Sequence, residues 1–294
     1  MLENLLPFDS HYLDRSGNKL HYVNEGQGEP VVMVHGNPSW SYYYRNLVSA
    51  LSTNYQCIVP DHIGCGLSDK PDDPQYDYTL ENRIDDLEAL LDHLDVKENI
   101  TLVVHDWGGM IGMGYAARYP ERIKRLVFLN TAAFHLPESK PFPWALWVCR
   151  ETILGTFLVR GFNAFSSIAS YVGVKRQPMV KAVREAYVAP FNSWKNRIST
   201  LRFVQDIPLK PEDRNYELVS NIADSLSKFS EVPTLICWGL QDFVFDKHFL
   251  AKWRQYMPHA QVREFDDCGH YILEDASEDV IGLIQNFMAN NQQS

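Results

Sequence analysis

The sequence predicts an α/β chain: a mostly parallel central sheet flanked by helices, with a helical segment inserted near its middle. Three observations lead there. Short β-branched runs recur at 30–35, 56–60, 101–104, 125–129 and 232–238, apolar on both faces as strands buried inside a parallel sheet are. Amphipathic helical patterns separate them, and strand–helix alternation of this kind implies right-handed crossovers. From about 135 to 229 the strands cease while large apolar side chains persist.

Residues 11–25 alternate polar and apolar around Ser16-Gly17-Asn18, the pattern of a leading hairpin. Gly26-Gln-Gly28 reads as a turn, and Pro30-Val-Val-Met-Val-His35 as the first buried strand. Residues 42–51 are helical in pattern. Gln56-Cys-Ile-Val-Pro60 is the next strand, and Asp61-His-Ile-Gly-Cys-Gly-Leu-Ser68 a tightly turning loop at the sheet edge. That loop lacks the G-x-x-x-x-G-K-[ST] spacing of a phosphate loop. Ile84, Leu87, Leu90, Leu91 and Leu94 make one apolar face of a helix over 81–94. A strand at 101–104, a helix at 110–119 stopped by Pro120, and a strand at 125–129 follow. The segment 135–229 is broken by Pro137, Pro141, Pro143, Pro178, Pro190, Pro208 and Pro211. It reads as an inserted helical cap over the C-terminal strand edges, where open α/β sheets bind ligands. Residues 1–134 and 230–294 would then form one core. Of its aromatics (Phe142, Trp144, Trp147, Phe157, Phe162, Phe165, Tyr187, Phe191, Trp194 and Phe203), most are expected in the cap's own core. Phe134, Phe142, Pro143 and Trp144 are expected to line an apolar cavity. Beyond the cap come the strand at 232–238, a helix at 248–256, a strand at 261–265 and a closing helix at 277–288.

Composition excludes several classes of function. Among 294 residues, 37 Asp and Glu against 27 Lys and Arg give a net charge of −10, which argues against a nucleic-acid partner. The opening Met1-Leu-Glu-Asn-Leu-Leu-Pro-Phe-Asp9 has no basic segment and no long apolar run, unlike a secretory leader. No stretch approaches the roughly 18 apolar residues of a membrane span. Five scattered cysteines without a CxxC pair predict reduced thiols in the cytoplasm, not a disulfide frame or a zinc site. Cys65 and Cys268 fall beside the loops of interest but read as packing residues.

The chemistry gathers at Thr101-Leu-Val-Val-His-Asp-Trp-Gly-Gly-Met110, a strand that ends abruptly and opens into a small-residue helix start. This is the shape of a nucleophile elbow, G-x-Nuc-x-G, with Val104 in the first glycine's place, Gly108 as the last and Asp106 in the nucleophile slot. A carboxylate there attacks sp³ carbon and leaves an alkyl ester. Asp242 follows the strand at 232–238, and His270 follows the strand at 261–265. Asp106, Asp242, His270 is the α/β-hydrolase order of nucleophile, acid and base, so the α/β-hydrolase fold is expected. His35-Gly-Asn-Pro-Ser-Trp40, after the first buried strand, stands where that fold places its oxyanion donors.

Along essentially its whole length the chain resembles the haloalkane dehalogenases, on His35-Gly-Asn-Pro-Ser-Trp40, His105-Asp-Trp-Gly-Gly109, Asp242 and Gly269-His270. The resemblance implies that Asp106 is the nucleophile, that His270 is the general base, and that Asn37 and Trp107 hold the halide ion. Some members carry the acid as Glu at the end of the strand before the cap; here Asn130 stands there, which leaves Asp242 as the acid. Asp106 would displace halide in line, the N–H groups of Trp107 and Asn37 would receive it, and His270 would activate the water that hydrolyses the ester. Asp242 would fix the histidine tautomer. No metal or organic cofactor is needed, and the expected partner is a small apolar substrate.

Haloalkane hydrolysis is the first expectation. The alternative is a cis-β-lactone decarboxylase of bacterial long-chain olefin synthesis, a branch that Pro60-Asp-His-Ile-Gly-Cys-Gly-Leu-Ser-Asp-Lys-Pro71 and Tyr76-Asp-Tyr-Thr-Leu80 resemble. There Asp106 would open the lactone at carbon, with a carboxylate leaving in place of halide. An epoxide hydrolase ranks lower: it needs cap tyrosines, for which Tyr171 and Tyr187 are the candidates, and usually has an apolar residue where Asn37 stands. A binding-only scaffold would have lost Asp106, Asp242 or His270. His62 and His105 are expected as structural hydrogen-bonders.

Overall fold

The computed structural model describes residues 5–292; the first four residues of the N-terminal stretch read above lie outside them. Strands β1 (His11–Arg15) and β2 (Asn18–Glu25) form the leading hairpin. Its two-residue turn, Ser16-Gly17, has both φ angles positive, at 54° and 87°, as the primed turns that match strand twist require. The chain continues through β3 (Pro30–Val34), α1 (Arg45–Leu51), β4 (Gln56–Pro60) and α2 (Leu80–His93). Next come β5 (Ile100–Asp106), α3 (Gly108–Arg118) and β6 (Ile123–Thr131).

Six helices follow with no strand among the described residues: α4 (Trp144–Glu151), α5 (Ile153–Thr156), α6 (Ala164–Val172), α7 (Lys181–Val188), α8 (Ile198–Gln205) and α9 (Tyr216–Ser225). The sheet resumes with β7 (Thr234–Gly239), α10 (Lys247–Tyr256) and β8 (Gln261–Phe265), and α11 (Ile272–Asp275) and α12 (Ser277–Asn290) close the chain.

The eight strands lie in the order β1-β2-β4-β3-β5-β6-β7-β8. Pairs β1–β2 and β2–β4 are antiparallel; the remaining five are parallel. The central strands are apolar on both faces because each face carries its own helical layer. Val32, Val34, Leu102, Val104, Leu126, Phe128 and Ile236 pack with α2, α3 and α10 through Ile84, Ile111 and Trp253. Val31, Met33, Val103, Val127, Leu129, Leu235 and Cys237 pack with α1 and α12 through Leu47, Leu51 and Ile284. Burial on both faces removes the alternation that would otherwise mark a strand.

Most element ends differ from expectation by one to three residues, and two of these differences bear on the site. β5 runs two residues past 104, because His105 and Asp106 keep their pairing with Leu129 and Thr131 across a register irregularity. α3 starts at Gly108, not at Met110, since both glycines are helical. A third difference concerns the aromatics between β6 and β7. Tyr187, Phe191 and Phe203 are buried, but Trp144, Trp147, Phe157, Phe162 and Trp194 face solvent, so most do not form a cap core.

Candidate active site

Asp106 stands at the last position of β5 with φ of 53°, the left-handed region that non-glycine residues rarely occupy. The bend aims its carboxyl out of the sheet while the chain turns into α3. Two glycines make room. A Cβ on Gly108 would stand 2.7 Å from the Val34 carbonyl carbon, and a Cβ on Gly36 2.5 Å from Asp106 Cγ. Thr131 Oγ1 donates to the Asp106 carbonyl at 2.5 Å and ties the elbow to β6.

The Asn37 backbone N–H donates to Asp106 Oδ1 at 2.5 Å, and the Trp107 backbone N–H also bonds the carboxyl. Two main-chain donors thus meet the carboxyl, one of them from the His35–Trp40 turn where oxyanion donors are expected. His270 Nε2 lies 3.8 Å from Asp106 Oδ2, and its Nδ1 lies 2.9 Å from Asp242 Oδ2. Asp106, Asp242 and His270, which come from the ends of β5, β7 and β8, are therefore in one line, and all three are buried.

Burial raises the Asp106 carboxyl to about 6, against the lowering effect of His270 and of the two N–H groups. For His270 burial acts downward, but the charge and hydrogen bond of Asp242, with Asp106 behind them, hold the imidazole above its usual range. Desolvation thus favours the protonated Asp106 carboxyl, while His270 and the two N–H groups favour the carboxylate.

Asn130 is the group that reading the sequence passed over. By residue type it only lacks a carboxylate, yet its Nδ2 donates to Asp242 Oδ2 at 3.1 Å and to Gly239 O at 2.9 Å, and its Oδ1 accepts from Gly239 N at 2.8 Å. Its φ of 35° is again left-handed, a conformation Asn tolerates. Val244 N–H donates to the other oxygen, Asp242 Oδ1, at 2.7 Å. An Asn closing one strand beside an Asp that follows the next was the available signal.

Asn37 and Trp107 side chains both line the cavity above Asp106. Asn37 Nδ2 spends one N–H on Thr200 O at 3.1 Å, which anchors the amide. The Trp107 ring rests on Phe203 with centroids 5.3 Å apart. His35, His62 and His105 are shifted down, chiefly by burial, and act as neutral hydrogen-bonders. His62 Nε2 meets His35 O at 2.9 Å, and His105 Nε2 meets His270 O at 2.9 Å. Burial pushes the Cys65 thiol up to about 11 and that of Cys268 to about 12, so neither is a reactive thiolate.

The cavity has a volume of about 400 Å³. Phe134, Phe142, Pro143 and Trp144 all line it. So do residues that the sequence did not single out: Leu158, Phe165 and Ile168 from the helical segment, and Phe243 and Phe245 from the loop beyond Asp242. Neither Tyr171 nor Tyr187 lines it; Tyr171 is exposed, and Tyr187 is buried with its hydroxyl donating to Glu274 at 2.7 Å. No candidate proton donor for an epoxide stands over Asp106 from that pair.

A family model described as alpha/beta hydrolase fold matches residues 29–277. The chain is 82% identical over 292 residues to a cis-3-alkyl-4-alkyloxetan-2-one decarboxylase of Shewanella oneidensis, covering 99% of this chain and 92% of the relative. It is 55% identical to the decarboxylase of the same name from Xanthomonas campestris pv. campestris, with 94% of each covered. Among solved structures it superposes on the haloalkane dehalogenase DbeA from Bradyrhizobium elkani with a TM-score of 0.83 and 26% identity, over 96% of this chain and 99% of that one.

Proposed function

The chain belongs to the α/β-hydrolase fold family, and from that premise we propose that it decarboxylates cis-3,4-dialkyl β-lactones through an ester on Asp106. The observation that carries this reading is the 82% identity, over nearly the whole chain, to a relative of that name. It moves the weight from the haloalkane reading, favoured by the sequence motifs, to the lactone alternative. The dehalogenase likeness is more distant, at 32% or below among the dehalogenases compared. We read residues 135–229 as the cap and the rest as the core; in support, the cavity walls combine Leu158, Phe165 and Ile168 with Asn37, Asp106 and His270.

In this mechanism Asp106 attacks C4 of the oxetanone, the ring carbon bearing oxygen. The C4–O bond breaks, and the ring oxygen leaves as part of a carboxylate carried by C3. The Trp107 indole N–H and the free N–H of Asn37 receive that charge. The electrons of the C3–carboxylate bond then form the C3=C4 double bond. Carbon dioxide departs, and Asp106 is expelled from C4 as a carboxylate. His270, held as an imidazolium by Asp242, faces negative charge whichever carboxylate carries it. Inversion at C4 followed by anti elimination converts a cis-lactone to a cis-alkene. No water oxygen is consumed.

Haloalkane hydrolysis on the same residues would end differently, with water attacking the ester carbonyl carbon, leaving its oxygen in the Asp106 carboxylate and releasing the alkyl group as an alcohol. The test supplies a cis-3,4-dialkyl-oxetan-2-one and, separately, 1,2-dibromoethane, in water enriched in oxygen-18. Alkene by gas chromatography, no label in the Asp106 peptide, and no turnover by Asp106→Ala are expected with the lactone. Intact lactone together with bromide release and a labelled Asp106 would instead establish the dehalogenase. His270→Gln should trap the bromoethyl ester in that case. The cytoplasmic setting expected from the cysteines fits five free thiols and is part of this proposal.

A further inference from the structure

Among the described residues no helix is long and apolar enough to cross a membrane. Yet the outer face of the helices between β6 and β7 is unusually apolar for a surface. Trp144 and Ile153 are each 79% exposed and Phe162 is 77% exposed, with Trp147, Leu154, Phe157, Ile168 and Tyr171 also exposed nearby in sequence. Exposed apolar groups gathered in one segment mark a docking surface, whereas single ones need no explanation.

Charge identifies what docks there. Residues 144–202 hold nine Lys and Arg against two Asp and Glu, net +7, in a chain whose total is −10. Everything outside the segment therefore sums to −17. Some of these cations are held by acids: Arg150 by Asp213, Arg176 by Asp267 and Asp279, and Arg202 by Asp73. Others stand among the exposed rings. The Arg160 guanidinium lies 4.8 Å from the centre of the Trp194 ring, and Arg184 4.4 Å from that of Tyr171. Arg197 donates only to backbone carbonyls, of Phe191, Arg160 and Gly161, and Lys195 is exposed; among the described residues none of these four makes an ion pair. Trp194 in turn packs on Phe157 at 5.6 Å, so ring and cation share one surface. Exposed Trp, Phe and Ile among unpaired Lys and Arg is the composition of a surface that lies in an anionic bilayer interface.

The patch is continuous with the mouth of the cavity. Trp144 and Ile168 are mostly exposed and also line it, as does the half-exposed Phe243 of the loop beyond β7. We propose that this face seats the protein on an anionic membrane surface, with the cavity opening toward the lipid, so that long-chain apolar substrate and product pass between bilayer and cavity without crossing water. The seating rests on the surface alone; only the identity of the passenger rests on the lactone reading.

The test is flotation of the full chain with large unilamellar vesicles, either phosphatidylcholine alone or with about a third phosphatidylglycerol. Cofloating with the anionic vesicles is expected, weak with phosphatidylcholine and weakened by salt. Each basic residue at such a surface contributes about fivefold to partition, so Arg160→Gln with Lys195→Gln should weaken binding by an order of magnitude or more. Ile153→Ser with Phe162→Ser should weaken it on either vesicle. All four positions lie outside the cavity lining, so melting temperature and turnover of a short-chain, water-soluble lactone should be unchanged. Three outcomes overturn the proposal: no flotation, equal and salt-insensitive flotation on both vesicles, or a concentration-dependent dimer that the Ile153/Phe162 pair abolishes. Flotation involves no turnover, so its failure leaves the catalytic assignment standing.

Discussion

Gly36→Ala tests the elbow geometry without touching a reacting group. The alanine Cβ would stand 2.5 Å from Asp106 Cγ, while real side-chain carbons do not close below 3.0 Å and rest comfortably at 3.4 Å. Asp106 Oδ1 and Cβ would stand closer still, so the carboxyl must retreat by more than 0.5–0.9 Å, or the 35–37 turn must move by as much. Asp106 has little freedom, because its φ is already left-handed and its carbonyl is held by Thr131. The retreat also pulls Oδ1 away from the Asn37 N–H that now meets it at 2.5 Å. A misplacement of about 1 Å in a positioned reactant costs about 10²-fold in rate, or about 2.7 kcal/mol of barrier. The assay is single-turnover alkene formation from a dialkyl β-lactone, with substrate binding followed separately by tryptophan fluorescence. The expected result is kcat down by about 10² with binding little changed. A variant that melts like the wild type and turns over within threefold of it would refute the claim that Gly36 sets the position of Asp106.

Other consequences are as direct. Asp242 accepts from His270 and Asn130 at one oxygen and from Val244 at the other, so Asp242→Asn must turn an NH2 toward a donor. That leaves a buried group unpaired at a cost of about 1–3 kcal/mol and removes the charge that raises His270. Melting should fall by several degrees and turnover by more than tenfold; a stable, active Asp242→Asn would remove Asp242 from the site. The pH profile should rise through about 6 as Asp106 ionises. For decarboxylation it should fall again above the raised pKa of His270, whereas ester hydrolysis needs the neutral base and would keep rising there. A rate flat from pH 5 to 7 would contradict the buried nucleophile. Because burial raises Asp106 from 3.8 to about 6, the folded state binds its proton more tightly than the unfolded chain does. Stability is therefore lost as pH rises from about 4 to 6, up to a ceiling of about 3 kcal/mol. Asp106→Asn should melt higher than the wild type at pH 7.5, with the gap closing by pH 4; an unchanged difference across that range would sink the assignment.

Much of this molecule was written locally. Apolar β-branched runs, helix periodicity and the abrupt Gly, Asp and His turns are short-range signals, so strand order along the chain and the sequence Asp106, Asp242, His270 could be read directly. The ends of β5 and α3 could not, because they depend on which partner strand continues the ladder and on whether a glycine is pinned against Val34. Asn130 was invisible for a similar reason: its amide matters only because β6 lies beside β7 and brings it 3.1 Å from Asp242.

The segment 135–229 shows the limit most plainly. Composition alone marked a strandless aromatic segment, and hydrophobicity placed those rings in a core. Whether a Trp is buried depends on what the rest of the chain lays over it, and among the described residues little lies over Trp144 or Phe162. By itself, then, the sequence determined the order of elements and which side chains can do chemistry, since both follow from residue type and local spacing. Tertiary structure decided how far His270 stands from Asp106, how much water the carboxyl has lost, and which apolar groups face outward, since each depends on residues brought together from distant parts of the chain.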